Sequence, residues 1–156
     1  MKTVEPRLFE FGDLRALYAI EEACFEPAVR FSRALMRSLA HDPDNRTWLG
    51  IVENVRVGFA IVGLQAIDKS APPNTAYIWT IEVLPAFRRM GVARVLLACV
   101  ETSAREAGCH ALELHVSERN VGALAMYEAA GFAQIGVEAQ YYGRGEDAYR
   151  YRKLVG

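Results

Sequence analysis

Residues Ile81 to Ala93 read Ile-Glu-Val-Leu-Pro-Ala-Phe-Arg-Arg-Met-Gly-Val-Ala. An apolar strand runs into a proline, two arginines and a glycine, and then into a helical stretch. The first turn of a helix carries backbone N–H groups without partners inside the helix, and the helix dipole makes that end positive. Gly91 removes a side chain where the backbone must come close to a ligand. Arg88 and Arg89 add formal charge at the same point. Such a turn suits an anion, and phosphate or pyrophosphate is its natural occupant. Groups able to move a proton lie nearby in sequence. Side chains alternate along a strand, so on Ala111–Val116 the residues Glu113 and His115 share a face, while Leu112, Leu114 and Val116 share the other. Histidine is a competent base near neutrality. Glu113, and Glu82 acting through water, are the other candidates.

These residues need a scaffold, and the pattern supplies one. The 156 residues suit one domain spanning 1–156 with its own core. Hydrophobic residues make up 52% and charged residues 24%, which excludes a disordered chain. The net charge of -1 argues against a nucleic-acid partner. No apolar run is long enough for a membrane span, and the N-terminus lacks the apolar core of a signal peptide, so a cytoplasmic location is expected. Cys24, Cys99 and Cys109 are odd in number and lack metal-ligand spacing; free, reduced, packing cysteines and no metal are expected.

Val4 to Phe9 reads as an edge strand, and Asp13 to Phe25 as a helix that Asp13 can cap. Ser32 can cap a second helix ending near His41. Thr47–Val52 and Val57–Gln65 form a hairpin about Glu53-Asn54. Asp68–Thr75 is a loop, and Ala76–Val83 a strand. The next helix carries Val92, Val95, Leu96, Cys99, Val100, Ser103, Ala104 and Ala107 on one face and stops at Gly108. Ala111–Val116 is a strand and Gly122–Ala130 a helix stopped by Gly131. Phe132–Tyr142 and Ala148–Lys153 are two last strands. The central β-α-β unit requires a parallel pair, and the flanking hairpins require antiparallel ones. The expectation is an α/β (α+β) domain with a mixed, mostly antiparallel sheet and helices on both faces.

Other phosphate loops fit less well. The dinucleotide fingerprint needs three glycines, and this loop has one; the Walker loop needs a Gly-Lys-Ser/Thr ending, which is missing. The pattern present is Arg-x-x-Gly-x-Ala at Arg88, Gly91 and Ala93. With its preceding strand it resembles the acyl-CoA-binding motif of the GCN5-related N-acetyltransferase (GNAT) superfamily. Asn120, Ala123, Tyr127 and Gly131-Phe132 also sit at that family's spacing. The resemblance covers nearly the whole chain and is strongest from 76 to 132. It implies that the strand ending at Val83 and the strand 111–116 splay apart. The pantetheine arm of acetyl-CoA would lie in the gap, paired with backbone near Ile81 and Val83. The pyrophosphate would sit on the amides of Arg88, Arg89, Met90, Gly91, Val92 and Ala93, with Asn120 holding the cofactor arm.

The reaction implied is direct attack of an amine on the acetyl thioester. The resemblance gives a backbone N–H near Val83 the oxyanion-stabilising role. It gives Tyr127 the role of proton donor to the departing thiolate; the plain alternative is a core aromatic packed beside Leu124. His115 stands where the ribosomal-protein alanine acetyltransferases of the RimI type carry a glutamate, so the base stays open among His115, Glu113 and Glu82. The stretch Tyr141-Tyr142-Gly143-Arg144-Gly145-Glu146-Asp147-Ala148 resembles the Tyr-Tyr…Glu-Asp-Ala hairpin of RimI-like and related protein N-terminal acetyltransferases. By that resemblance Tyr141 and Tyr142 line the acceptor slot, and the connection beginning Phe25-Glu26 forms the opposite wall. The acceptor implied first is a protein N-terminal α-amine. A small amine is the second reading, and a non-catalytic acyl-CoA-binding module the third. A homodimer is compatible with all three.

Overall fold

A computed structural model describes residues 2–65, 72–143 and 145–156. Residues 68–71 of the expected loop and Arg144 of the last hairpin lie outside the described residues. The elements run β1 (Glu5–Leu8), α1 (Leu14–Cys24), α2 (Arg33–His41), β2 (Asn45–Val52), β3 (Val55–Gly63), β4 (Thr75–Val83), α3 (Val92–Glu106), β5 (Ala111–Ser117), α4 (Val121–Ala129), β6 (Ala133–Glu138) and β7 (Ala148–Leu154). Their order along the chain is the expected one. Among the described residues no helix is long and apolar enough to cross a membrane.

The strands form one sheet in the order β1-β2-β3-β4-β5-β7-β6, with β4–β5 the parallel pair and the other pairs antiparallel. The chain turns from β2 to β3 at Glu53 and Asn54, both left-handed (φ 49° and 65°), as a two-residue hairpin turn demands. Val57 to Val62 is buried without a break, because this central strand is covered on both faces. Leu17, Ile20, Met36 and Leu39 of α1 and α2 pack with Leu49, Phe59 and Ile61 on one face. On the other, Val92, Leu96, Leu97, Val100 and Ala104 of α3 and Tyr127 of α4 pack with Val57, Ala60, Val62, Leu112 and Leu114. The expected apolar stripe of α3 shifts slightly: Leu97 is buried, while Ala107 is exposed.

Two features of β4 place the functional groups. In the ladder with β3, Ile61 faces Thr80 and Val62 faces Ile78, so Trp79 is the extra residue of a β-bulge. A bulge bends its strand and raises the local twist. Pairing with β5 runs from Thr75↔Ala111 only as far as Ile78↔Leu114, and then the two strands part. The splay therefore begins at the bulge. Gly58 brings α3 close to this end of β4. A Cβ there would lie 2.7 Å from the Glu82 carbonyl oxygen and 3.1 Å from Val92 Cγ1, so any larger residue would push the helix start away.

The helix caps divide. Ser32 Oγ accepts from Leu35 N–H at 3.0 Å, as expected. Asp13 does not cap α1 with its side chain. Its buried carboxylate instead takes Arg7 (3.0 and 2.9 Å), Arg56 (2.5 Å) and the Glu10 N–H (2.7 Å). Burial alone would raise its pKa, but these donors outweigh burial and bring it to about 2.

Candidate functional site

The gap between β4 and β5 is lined by backbone on one side. Leu84 N–H donates to Val57 O at 2.8 Å, which sets the register of hydrogen-bonded pairs between β3 and β4. Alternation along an antiparallel ladder then turns the N–H and C=O groups of Ile81 and Val83 away from β3, towards the gap. The Val83 carbonyl is held there by Arg88 Nε (3.1 Å) and by the Cys24 thiol (3.4 Å). Arg88 thus braces the strand end, its Nε folded back on β4. Below it the chain makes a tight turn in which Arg89 and Gly91 are left-handed (φ 63° and 83°). Left-handed residues of this kind fold N–H groups into anion-binding concavities. Met90 and Ala93 are half-buried, and Val92 is buried with its side chain in the core.

The other side of the gap ends in α4. Asn120 Oδ1 accepts from Ala123 N–H at 3.1 Å, which caps the helix and leaves the amide NH2 for a ligand. Tyr127 is 6% exposed and meets Phe132 edge-on at 5.4 Å. Burial, and then the neighbouring Tyr142, push its phenol well above the ordinary value, so it stays protonated. Its hydroxyl makes no hydrogen bond among the described residues.

The candidate bases separate sharply. Glu113 is engaged by Arg150 Nη2 and Arg152 Nε, both at 3.6 Å. Glu82 is buried against Glu21 of α1, and each has a buried oxygen, Oε1, without a partner among the described residues. Thr80 donates to the other Glu82 oxygen at 2.8 Å, and Phe31 N–H to the other Glu21 oxygen at 2.9 Å. Burial first, and then Glu21, raise the Glu82 pKa far above the carboxylate range. Among the described residues no cation bonds either carboxylate, and two close carboxylates favour sharing a proton. An upward shift of this kind favours the protonated acid and weighs against Glu82 among the three candidate bases.

His115 stands in a different setting. Its Nδ1 lies 2.7 Å from the hydroxyl of Tyr77 and its Nε2 lies 2.8 Å from Glu138 Oε1. Tyr141 stacks on the imidazole at 4.5 Å with the rings 2° from parallel. Tyr142 meets Tyr141 edge-on at 5.0 Å. Burial and then Tyr141 push the Tyr142 hydroxyl up to about 12. Sequence reasoning missed Tyr77 and Glu138. Tyr77 reads as one more aromatic on an apolar strand, and Glu138 as a polar residue of an edge strand.

The tyrosines are not on a strand. β6 stops at Glu138, and Tyr141-Tyr142 belong to the turn that follows, because Gln140, Gly143 and Gly145 are left-handed (φ 53°, 75° and 73°). The acidic pair of this hairpin holds the turn in place. Ser117 donates to Glu146, Gln140 N–H donates to Asp147 Oδ1 at 2.8 Å, and Glu118 N–H donates to the Asp147 carbonyl at 3.1 Å. Opposite, Phe25 ends α1 half-buried and Glu26 is exposed. Arg30 Nε fastens this connection to the Phe25 carbonyl at 2.7 Å.

Among known proteins, the model of the "Acetyltransferase (GNAT) family" matches residues 14–132. The N-alpha-acetyltransferase RimI of Mycobacterium tuberculosis is 35% identical over 104 residues, covering 65% of this chain and 64% of that protein. The streptothricin acetyltransferase of Streptomyces lavendulae is 34% identical over 102 residues, covering 65% of this chain and 51% of that one. The chain spans less than two thirds of the length of these curated relatives. The solved ribosomal-protein-S18-alanine N-acetyltransferase of Escherichia coli superposes with a TM-score of 0.83 at 25% identity, over 99% of this chain and 95% of that one.

Proposed function

This chain belongs to the acetyltransferase (GNAT) family, and from that premise we propose that it moves the acetyl group of acetyl-CoA onto a protein N-terminal α-amine. One observation carries the acceptor half of this reading. The Tyr77–His115 hydrogen bond of 2.7 Å lies under the stacked ring of Tyr141, in the turn that resembles the N-terminal acetyltransferase hairpin. Tyrosine hydroxyls there bond a peptide backbone whatever its side chains. The cofactor half fits as well. The gap-facing backbone of Ile81 and Val83, outside the β5 ladder, takes the pantetheine arm as an added strand. The amides from Arg88 to Ala93 take the pyrophosphate, and the Asn120 amide steadies the arm.

The residues divide the chemistry. The Val83 N–H stabilises the oxyanion formed when the amine adds to the thioester carbonyl. As the new C–N bond forms, the amine proton passes to the Tyr77 oxygen while the Tyr77 proton passes to His115 Nδ1. Tyr127 gives its proton to the sulfur as the C–S bond breaks. An α-amine with a pKa of about 7.7–8.0 is already partly neutral at pH 7, so this base has little to do; a lysine at about 10.4 would need far more help. Phe25 and Glu26 wall the acceptor slot opposite Tyr141 and Tyr142.

The similarity to the streptothricin acetyltransferase supports a second reading, acetylation of a small amine. A panel of N-terminal peptides, N-terminally blocked peptides with internal lysine, and small amines, incubated with labelled acetyl-CoA, tests both. Label on free N-termini and not on blocked peptides is expected. Label confined to small amines would replace the first reading with the second, and CoA binding with no transfer would favour a non-catalytic acyl-CoA-binding module.

A further inference from the structure

The second nitrogen of His115 has a partner that the reaction above does not use. Glu138 Oε1 lies 2.8 Å from Nε2, and Arg150 Nε lies 3.8 Å from the same oxygen. An ionised carboxylate can only accept a hydrogen bond. The proton of the neutral imidazole must therefore sit on Nε2, which leaves the Nδ1 lone pair facing the Tyr77 hydroxyl. We propose that Glu138 is the positioning residue of His115: it selects the tautomer whose Nδ1 can take a proton from Tyr77, and it stabilises the imidazolium that results. This rests on the base role given to His115 above.

The geometry favours this over a surface ion pair. His115 lies on β5, Tyr77 on β4 and Glu138 on β6, with β7 between His115 and Glu138. The Glu138 side chain therefore reaches across β7 to a ring that is only 16% exposed. Tyr141 covers that ring, so water competes poorly for Nε2. The charged and titratable groups facing His115 are Tyr77 from β4, Glu113 from its own strand, Glu138 from β6, Arg150 from β7, and Tyr141 and Tyr142 from the β6–β7 turn. Arg150, opposite His115 in the ladder, disfavours imidazolium, but it is shared between Glu113 and Glu138. Glu138 is thus the one carboxylate in direct contact with the ring among the described residues. Without it the ring can turn its Nδ1–H towards Tyr77, and the proton path closes.

The test uses the full chain and the variants Glu138→Gln and Glu138→Asp. Histidine labelled with 15N reports the tautomer directly, and with three histidines in the chain the His115 signals are assigned from a His115→Asn spectrum. The wild type should show the proton on Nε2, and Glu138→Gln, which can donate its amide to Nε2, should populate the Nδ1–H form. With an N-terminal peptide, kcat should fall about 10–100-fold in Glu138→Gln, part of the contribution of about 10²–10⁴-fold that a positioned base makes, with the acetyl-CoA KM unchanged. The acidic limb of the rate profile should move down by about one pH unit, because imidazolium loses its counter-charge. Glu138→Asp should recover part of the rate. An unchanged tautomer in Glu138→Gln overturns the proposal, and so does a shifted tautomer with unchanged kcat and pH limb. A wild type that transfers to no amine overturns the function instead, and the spectrum then decides the tautomer by itself.

Discussion

In the proposed reading, the cofactor side of the gap is built from main chain and the acceptor side from side chains. The first uses the gap-facing backbone of Ile81 and Val83, outside the β5 ladder, and a turn with left-handed residues at 89 and 91. The second uses Tyr77, His115, Glu138 and Tyr141, delivered by three strands and a turn. A main-chain site accepts most side chains but depends on φ, ψ and strand register. A side-chain site tolerates backbone drift but fails when one residue type changes. The two halves should therefore break in different ways.

The sharpest separation is expected at Tyr127, the proposed proton donor to the sulfur. Tyr127→Phe should lower kcat by about 10²–10⁴-fold and leave both KM values nearly unchanged, measured as steady-state acetyl transfer. An unchanged kcat would remove Tyr127 from the chemistry. Gly91→Ala comes next. A Cβ there meets nothing within 4 Å, but φ is +83°, so the cost is backbone strain of about 1–2 kcal/mol. The acetyl-CoA KM should rise about 5–30-fold at that cost, with the peptide KM unmoved. A change in peptide KM would mean the halves are not independent. Tyr141→Ala should do the reverse at a smaller scale, raising the peptide KM several-fold while acetyl-CoA binding, read by calorimetry, stays put.

The smallest effect tests the carboxyl pair behind the gap. An unfolded glutamate ionises near pH 4.3, whereas burial and then Glu21 keep the Glu82 proton on to much higher pH in the fold. Above about pH 4.3 the unfolded state binds fewer protons than the native state, so stability falls as pH rises. Glu82→Gln, which mimics the protonated acid, should flatten that fall in urea midpoints taken from pH 5 to 8 and leave kcat close to wild type. A large loss of kcat would return Glu82 to the mechanism. Asp13 is buried as deeply but paired with Arg7 and Arg56, and it has the opposite dependence: its stabilisation is lost as pH drops towards 2.

The same division explains what could be read from the chain. The turn at Arg88–Ala93 was legible because a proline, a glycine and a helix start act within a dozen residues. Asn120 was legible as a helix start, and His115 as a strand face, for the same local reason. Tyr77 and Glu138 were not, because their partner is 38 and 23 positions away in sequence. Glu82 was visible as a carboxylate, but not as one buried against a second, since its neighbour Glu21 comes from α1. Tyr141 and Tyr142 were placed one element early: the apolar run continues past Glu138, and left-handed Gln140 gives no sequence warning.

By itself the sequence determined the element order, the parallel pair and the turn that starts α3, since each depends on side-chain period, turn residues and helix ends within a short window. Only the tertiary structure decided the burial of Glu82 against Glu21 and the partners of His115. A pKa is set by burial and neighbours, and a tautomer by the group across the ring, and both come from elements that meet only when the sheet is assembled.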